Sequence, residues 1–103
     1  MSYISPKKQI ATPTTGTTVT VANADGDIRL ILNPAGTLLA LTVAFPSAPR
    51  DGQILAMSSS QILTGLTLTS GGTILGTLTT MAAVNGYASW VYDLAGTKWY
   101  RIG

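Results

Sequence analysis

The sequence contains no histidine, no cysteine and no glutamate. Without cysteine, neither a disulfide nor thiol redox chemistry can arise within the chain. The same absences remove the usual zinc ligands. They leave the compartment open, because a chain without cysteine suits oxidising and reducing surroundings alike. Without histidine, a serine nucleophile lacks its usual base, and Ser58-Ser59-Ser60 is not set in a nucleophile-elbow motif. A serine–lysine dyad with Lys7, Lys8 or Lys98 has no supporting spacing.

Charge is also scarce. Charged residues make up 10% of the chain, against about 25% in ordinary soluble domains. Thr, Ser and Gly take their place, which gives a surface suited to packing against neighbours. The side-chain carboxylates are Asp25, Asp27, Asp51 and Asp93. A glycosidase needs two carboxylates facing each other across a sugar, one with a raised pKa. Asp25 and Asp27 sit two apart in a glycine turn, where local hydrogen bonding is the simpler role. The expectation is a protein with no catalytic residues, no cofactor and no metal. Asn23, Asp25 and Asp27 imitate the first ligands of a calcium loop. However, the sixth position is Ile28 where glycine is required, and the twelfth is Pro34 where glutamate is required. Only a looser calcium site shared between subunits stays open.

No targeting segment is visible in the 103 residues, because Ile10 to Thr20 is threonine-rich where a signal peptide needs an apolar core. Gly52 to Tyr92 carries no charge, but glycines, serines and threonines interrupt it too often for a membrane-spanning helix. The expectation is therefore no membrane partner.

What is present is a succession of short Val-, Ile-, Thr- and aromatic-rich runs separated by Gly, Pro, Asn or Asp. Such runs read as strands and turns. The alternation predicts strands over 17–22, 28–32, 37–45, 53–59, 61–69, 73–75, 87–93 and 98–102, with a terminal hairpin across Leu94-Ala95-Gly96. Asn85-Gly86 is a strong turn signal. A helical turn is arguable only at Met81-Ala82-Ala83. Eight to ten short strands in one domain point to an all-β, sandwich or jelly-roll-like fold over 21–103. Residues 1–20 read as an N-terminal arm or a first strand.

Two features complicate that picture. Ile62 to Thr67 and Ile74 to Thr79 are alike, as in a β-solenoid, but two copies fall short of the three expected. In addition, several strands are apolar on both faces. Trp90 and Tyr92 lie opposite Tyr87 and Val91, and Trp99 lies opposite Tyr100 and Ile102. A sheet in a small monomer normally keeps one face wet, so the pattern predicts a homo-oligomer. The candidate interface residues are Tyr87, Trp90, Tyr92, Trp99, Tyr100 and Arg101. The sequence Lys98-Trp99-Tyr100-Arg101 also interleaves cations with rings, as single-strand binders on OB-like barrels do. That remains an alternative, although six basic residues scattered along the chain form no stripe, and the expectation is no nucleic-acid partner.

Several segments resemble small phage virion proteins. They are Asn33 to Leu38, Pro46 to Gln53 with Arg50-Asp51-Gly52-Gln53, Ser58 to Gln61, Gly72 to Gly76, Asn85 to Ala88, and Trp90 to Tyr92 followed by Trp99 to Gly103. Segments of this kind occur in head decoration proteins, head fibres and terminal domains of tail fibres, and the likeness covers residues 30–103. The resemblance implies a structural role in a virion and assembly as a trimer. Only about 30 residues precede the matching region, too few for a fibre shaft, so a capsid decoration (cement) protein is the expectation. A head-fibre or tail-fibre domain is its alternative. Its partners would be copies of itself and the major capsid protein. It would be made in the host cytoplasm and located on the capsid surface of the virion. Met1 to Thr20 would be an arm across neighbouring subunits, or an ordinary first strand.

Overall fold

The computed structural model describes residues 7–81 and 84–103, and among them every regular element is a strand. Nine strands follow in order: β1 Lys7–Ala11, β2 Thr17–Thr20, β3 Ile28–Leu32, β4 Leu41–Ala44, β5 Ile54–Ser59, β6 Leu66–Thr69, β7 Thr73–Leu75, β8 Gly86–Asp93 and β9 Lys98–Arg101. The all-β reading holds. Met81 is a bridge residue, paired antiparallel with Leu63, while Ala82 and Ala83 of the arguable helical turn lie outside the described residues.

The topology departs from a jelly roll. Through β6 the chain alternates between two sheets, and each of β1 to β4 pairs in parallel with its counterpart one circuit later. The larger sheet has the order β1-β3-β5-β8-β9-β7, and the smaller has β2-β4-β6. β1, β3 and β5 stack in parallel, as do β2, β4 and β6. This is a solenoid of three coils with about 25 residues per turn. A jelly roll would pair its strands antiparallel through Greek-key connections. The chain then reverses. β8 lies antiparallel on β5, β9 antiparallel on β8, and β7 parallel on β9.

The coil repeat is not the one legible in the sequence. Leu38 pairs with Leu63 and Leu41 with Leu66, so Leu38-Leu39-Ala40-Leu41 is equivalent to Leu63-Thr64-Gly65-Leu66. In the first coil Thr17 takes the place of Leu41. The described part of the threonine-rich front, residues 7–20, forms this first coil. The remaining arm residues, 1–6, lie outside the described residues.

The core fills the space between the two sheets. Ile28, Leu30 and Leu32 of β3 are buried and alternate with exposed Arg29 and half-buried Ile31. Opposite them, Leu41, Val43 and Phe45 are buried as their alternation predicts. Leu39 belongs to the same alternation by sequence. In the structure it lies on the corner before β4 and is 73% exposed. At that corner Thr15 Oγ1 accepts hydrogen bonds from the backbone N–H of Leu39 and Ala40, both at 3.0 Å. Gly16 N–H donates to Ala40 O, and Leu41 N–H to Gly65 O. A side chain at Gly65 would collide with the carbonyl oxygen of Leu39, so the stacking of the third coil on the second depends on glycine there.

Gln53 fixes the opposite corner. It is 4% exposed, and its amide donates to Ala24 O at 3.0 Å and Gly26 O at 2.6 Å. Its side-chain oxygen accepts from Arg50 N–H at 3.2 Å. Gln53→Ala strands these backbone groups, and the expected cost is about 2–3 kcal/mol. A lower urea midpoint at unchanged slope is the measurement that checks it.

Candidate interaction surface

Strand alternation places each functional candidate on one side or the other of the larger sheet. Trp90, Tyr92 and Trp99 point inward and are 0%, 6% and 1% exposed. They form one aromatic cluster with Phe45. Its ring centroids stand 5.2 Å from Trp90 and 5.1 Å from Trp99, both edge to face, and Tyr92 lies 5.0 Å from Trp99. Half of the six expected interface residues therefore belong to the chain's own core, where they offer almost no surface to a partner. Trp90 Nε1 is buried with no hydrogen-bond acceptor among the described residues.

The other three lie at the surface. Tyr87 is 75% exposed and Tyr100 39% exposed, both on the outward face of the larger sheet. Arg101 is exposed near the chain end and donates from Nε to Gly103 O at 2.9 Å. In the quartet Lys98-Trp99-Tyr100-Arg101, the ring best suited to base stacking is thus inside the protein.

Register extends the outward face beyond these residues. Ile10, Ile31, Ser58 and Tyr87 form one row across β1, β3, β5 and β8. Ile54, Val91, Tyr100 and Leu75 form a second across β5, β8, β9 and β7. Between them run Lys8, Arg29, Ala56 and Ser89, and Ile102 continues that row beside Ser89. Ile10, Leu75, Tyr87, Tyr100 and Ile102 are all large exposed apolar side chains on this face. A shallow depression of about 220 Å³ lies at its centre, where Ala56 and Ser58 are small between Arg29, Ile31 and Tyr87. Ile10, Ile31 and Leu75 were absent from the sequence-derived interface residues. Their signal was the two-residue alternation, but parallel pairing was needed to place them beside Tyr87.

Three of the four side-chain carboxylates are engaged at loops. Asp25 pairs with Arg50 at 2.8 Å, with both side chains largely exposed. Such a pair contributes at most about 1 kcal/mol. Asp27 accepts from Ile54 N–H and Asp51 from Leu94 N–H, each at 3.0 Å. Asn23 holds the next loop, donating to Ser47 Oγ at 3.2 Å and accepting from Ala48 N–H at 2.9 Å. The calcium-like spacing of Asn23, Asp25 and Asp27 is thus taken up by four separate partners. Among the described residues no three acidic side chains gather into a metal site. A depression of about 520 Å³ over this corner is lined by Lys7, Asn23, Asp25, Ala48 and Arg50. It is open to solvent, and the charges in it include the Asp25–Arg50 pair.

The chain matches no protein-family model, and a search of curated proteins finds no match either.

Proposed function

We propose that this chain is a non-enzymatic structural protein of a phage virion, a decoration protein that assembles as a trimer and binds the outside of the assembled capsid. The observation that carries the reading is the outward face of the larger sheet, where Ile10, Leu75, Tyr87, Tyr100 and Ile102 are exposed around a row that holds Lys8 and Arg29, in a chain with few charges. The likeness of residues 30–103 to phage virion proteins supplies the particle. Asp25, Asp27 and Asp51 hold loops together, through Arg50, Ile54 N–H and Leu94 N–H. A decoration protein binds the closed shell and not its loose parts, and so stabilises the shell by mass action. Several modest contacts per trimer add through avidity.

A fibre or spike module is the second reading. The stacked parallel coils favour it, because a solenoid is a rigid, extendable unit. Copy number separates the two. In purified virions, quantitative mass analysis against the major coat protein is expected to give hundreds of copies for decoration and only a few for a tail fibre. Particles lacking the protein are expected to assemble but to burst at lower temperature or under osmotic shock, and added protein is expected to restore them. A copy number near that of a tail tip would transfer the assignment to the fibre.

A further inference from the structure

The geometry points to the outward face of the larger sheet as the surface where copies of this chain meet, with Tyr87 of one copy seated in the depression beside Tyr87 of the next. This inference rests on the reading of the chain as a self-assembling module and names the contact that such assembly uses.

The edges of the sheet disfavour the other route, strand addition. β1 begins with Lys7 and Lys8, and Pro13 follows it closely. Lysine and proline are the usual means of blunting an exposed edge. β7, at the other edge, is only three residues long. Inside the first coil, Gln9 donates to Thr20 O at 2.9 Å and accepts from Ala22 N–H at 3.0 Å, bridging the two sheets where the stack ends. Face packing is the contact left to the larger sheet.

The face is suited to its own kind. Six strands about 4.8 Å apart and about five residues long make a face about 24 Å by 17 Å. Two such faces, with their side-chain relief, bury on the order of 1,000 Å², the lower limit for a specific interface. Association is therefore expected to be reversible and to depend on concentration. A knob and its hole lie side by side. Tyr87 stands 75% exposed next to a depression of about 220 Å³ floored by Ala56 and Ser58. Arg29 on the rim can lie over the face of an incoming ring. Because every copy carries both parts, the occupant is a second copy of this chain.

The test is sedimentation equilibrium of the intact protein from low micromolar to millimolar concentration. The wild type is expected to rise above the monomer mass of 10.7 kDa. Tyr87→Ser, which removes the knob, and Ala56→Arg, which fills the hole, are expected to stay monomeric with unchanged tryptophan fluorescence and thermal midpoint. A wild type that stays monomeric yet still binds particles would overturn the inference and leave the decoration reading standing. Self-association that persists in both variants would overturn the inference and place the contact elsewhere on the molecule.

Discussion

Trp99→Ala is expected to lower stability by about 3–5 kcal/mol, and Trp90→Ala by a similar amount. Both indoles are essentially fully buried, and both stand edge to face with Phe45 across the space between the sheets. Truncation removes the largest side chains of the core and the edge-to-face contacts that they share, and the rigid sheets cannot close the gap. Domains of this size have only about 5–15 kcal/mol in total, so either variant is expected to be partly unfolded near body temperature. Urea titration followed by circular dichroism reads the loss directly. Trp90→Phe is expected to cost much less than Trp90→Ala. It keeps most of the ring contact with Phe45 and removes the buried Nε1 donor, which has no acceptor among the described residues. Equal losses in the Phe and Ala variants would contradict the packing described for this cluster.

Gly65→Val is expected to cost about 3 kcal/mol, at the upper end of what overpacking exacts. Its Cβ would meet backbone, the Leu39 carbonyl of the preceding coil, which cannot swing aside as a side chain can. The two coils would have to separate at the corner, weakening the hydrogen bond from Leu41 N–H to Gly65 O and the β4–β6 pairing beyond it. Gly36→Ala is the control, since nothing lies within 4 Å of a Cβ there. That change is expected to be neutral, or stabilising by about 0.4–1 kcal/mol through a stiffer unfolded chain. Comparing the two denaturation midpoints tests the solenoid itself, because Gly65 and Leu39 approach each other only if successive coils stack in parallel.

The contact between Gly65 and Leu39 also shows where sequence reading stops. A backbone collision between residues in successive coils leaves no local mark in the chain. A glycine in a strand pattern marks a bulge, a bend or a close backbone approach without saying which, and here the Leu39 carbonyl of the preceding coil lies where a side chain would be. Thr97 gives a second case. It adopts φ 55°, in the left-handed region that a β-branched residue seldom enters. The terminal hairpin expected across Leu94-Ala95-Gly96 is present, and its connection extends to Thr97, whose N–H donates to Leu94 O at 3.2 Å.

The sequence by itself determined the all-β class, most strand positions and the opposed facing of Trp90 and Tyr87. These depend on neighbours one or two residues away, and the two-residue period of a strand writes them into the chain directly. Only the tertiary structure decided that the strands wind as coils. That choice depends on pairing residues about 25 apart, such as Leu41 with Thr17 and Leu66, whose side chains need not be alike. The tertiary structure also decided which aromatic residues face a partner. Alternation separates Tyr87 and Tyr100 from Trp90, Tyr92 and Trp99, but it is silent on which side the second sheet will cover. The smaller sheet packs over the tryptophans because Phe45 fits between them, and Tyr87 and Tyr100 are left facing outward.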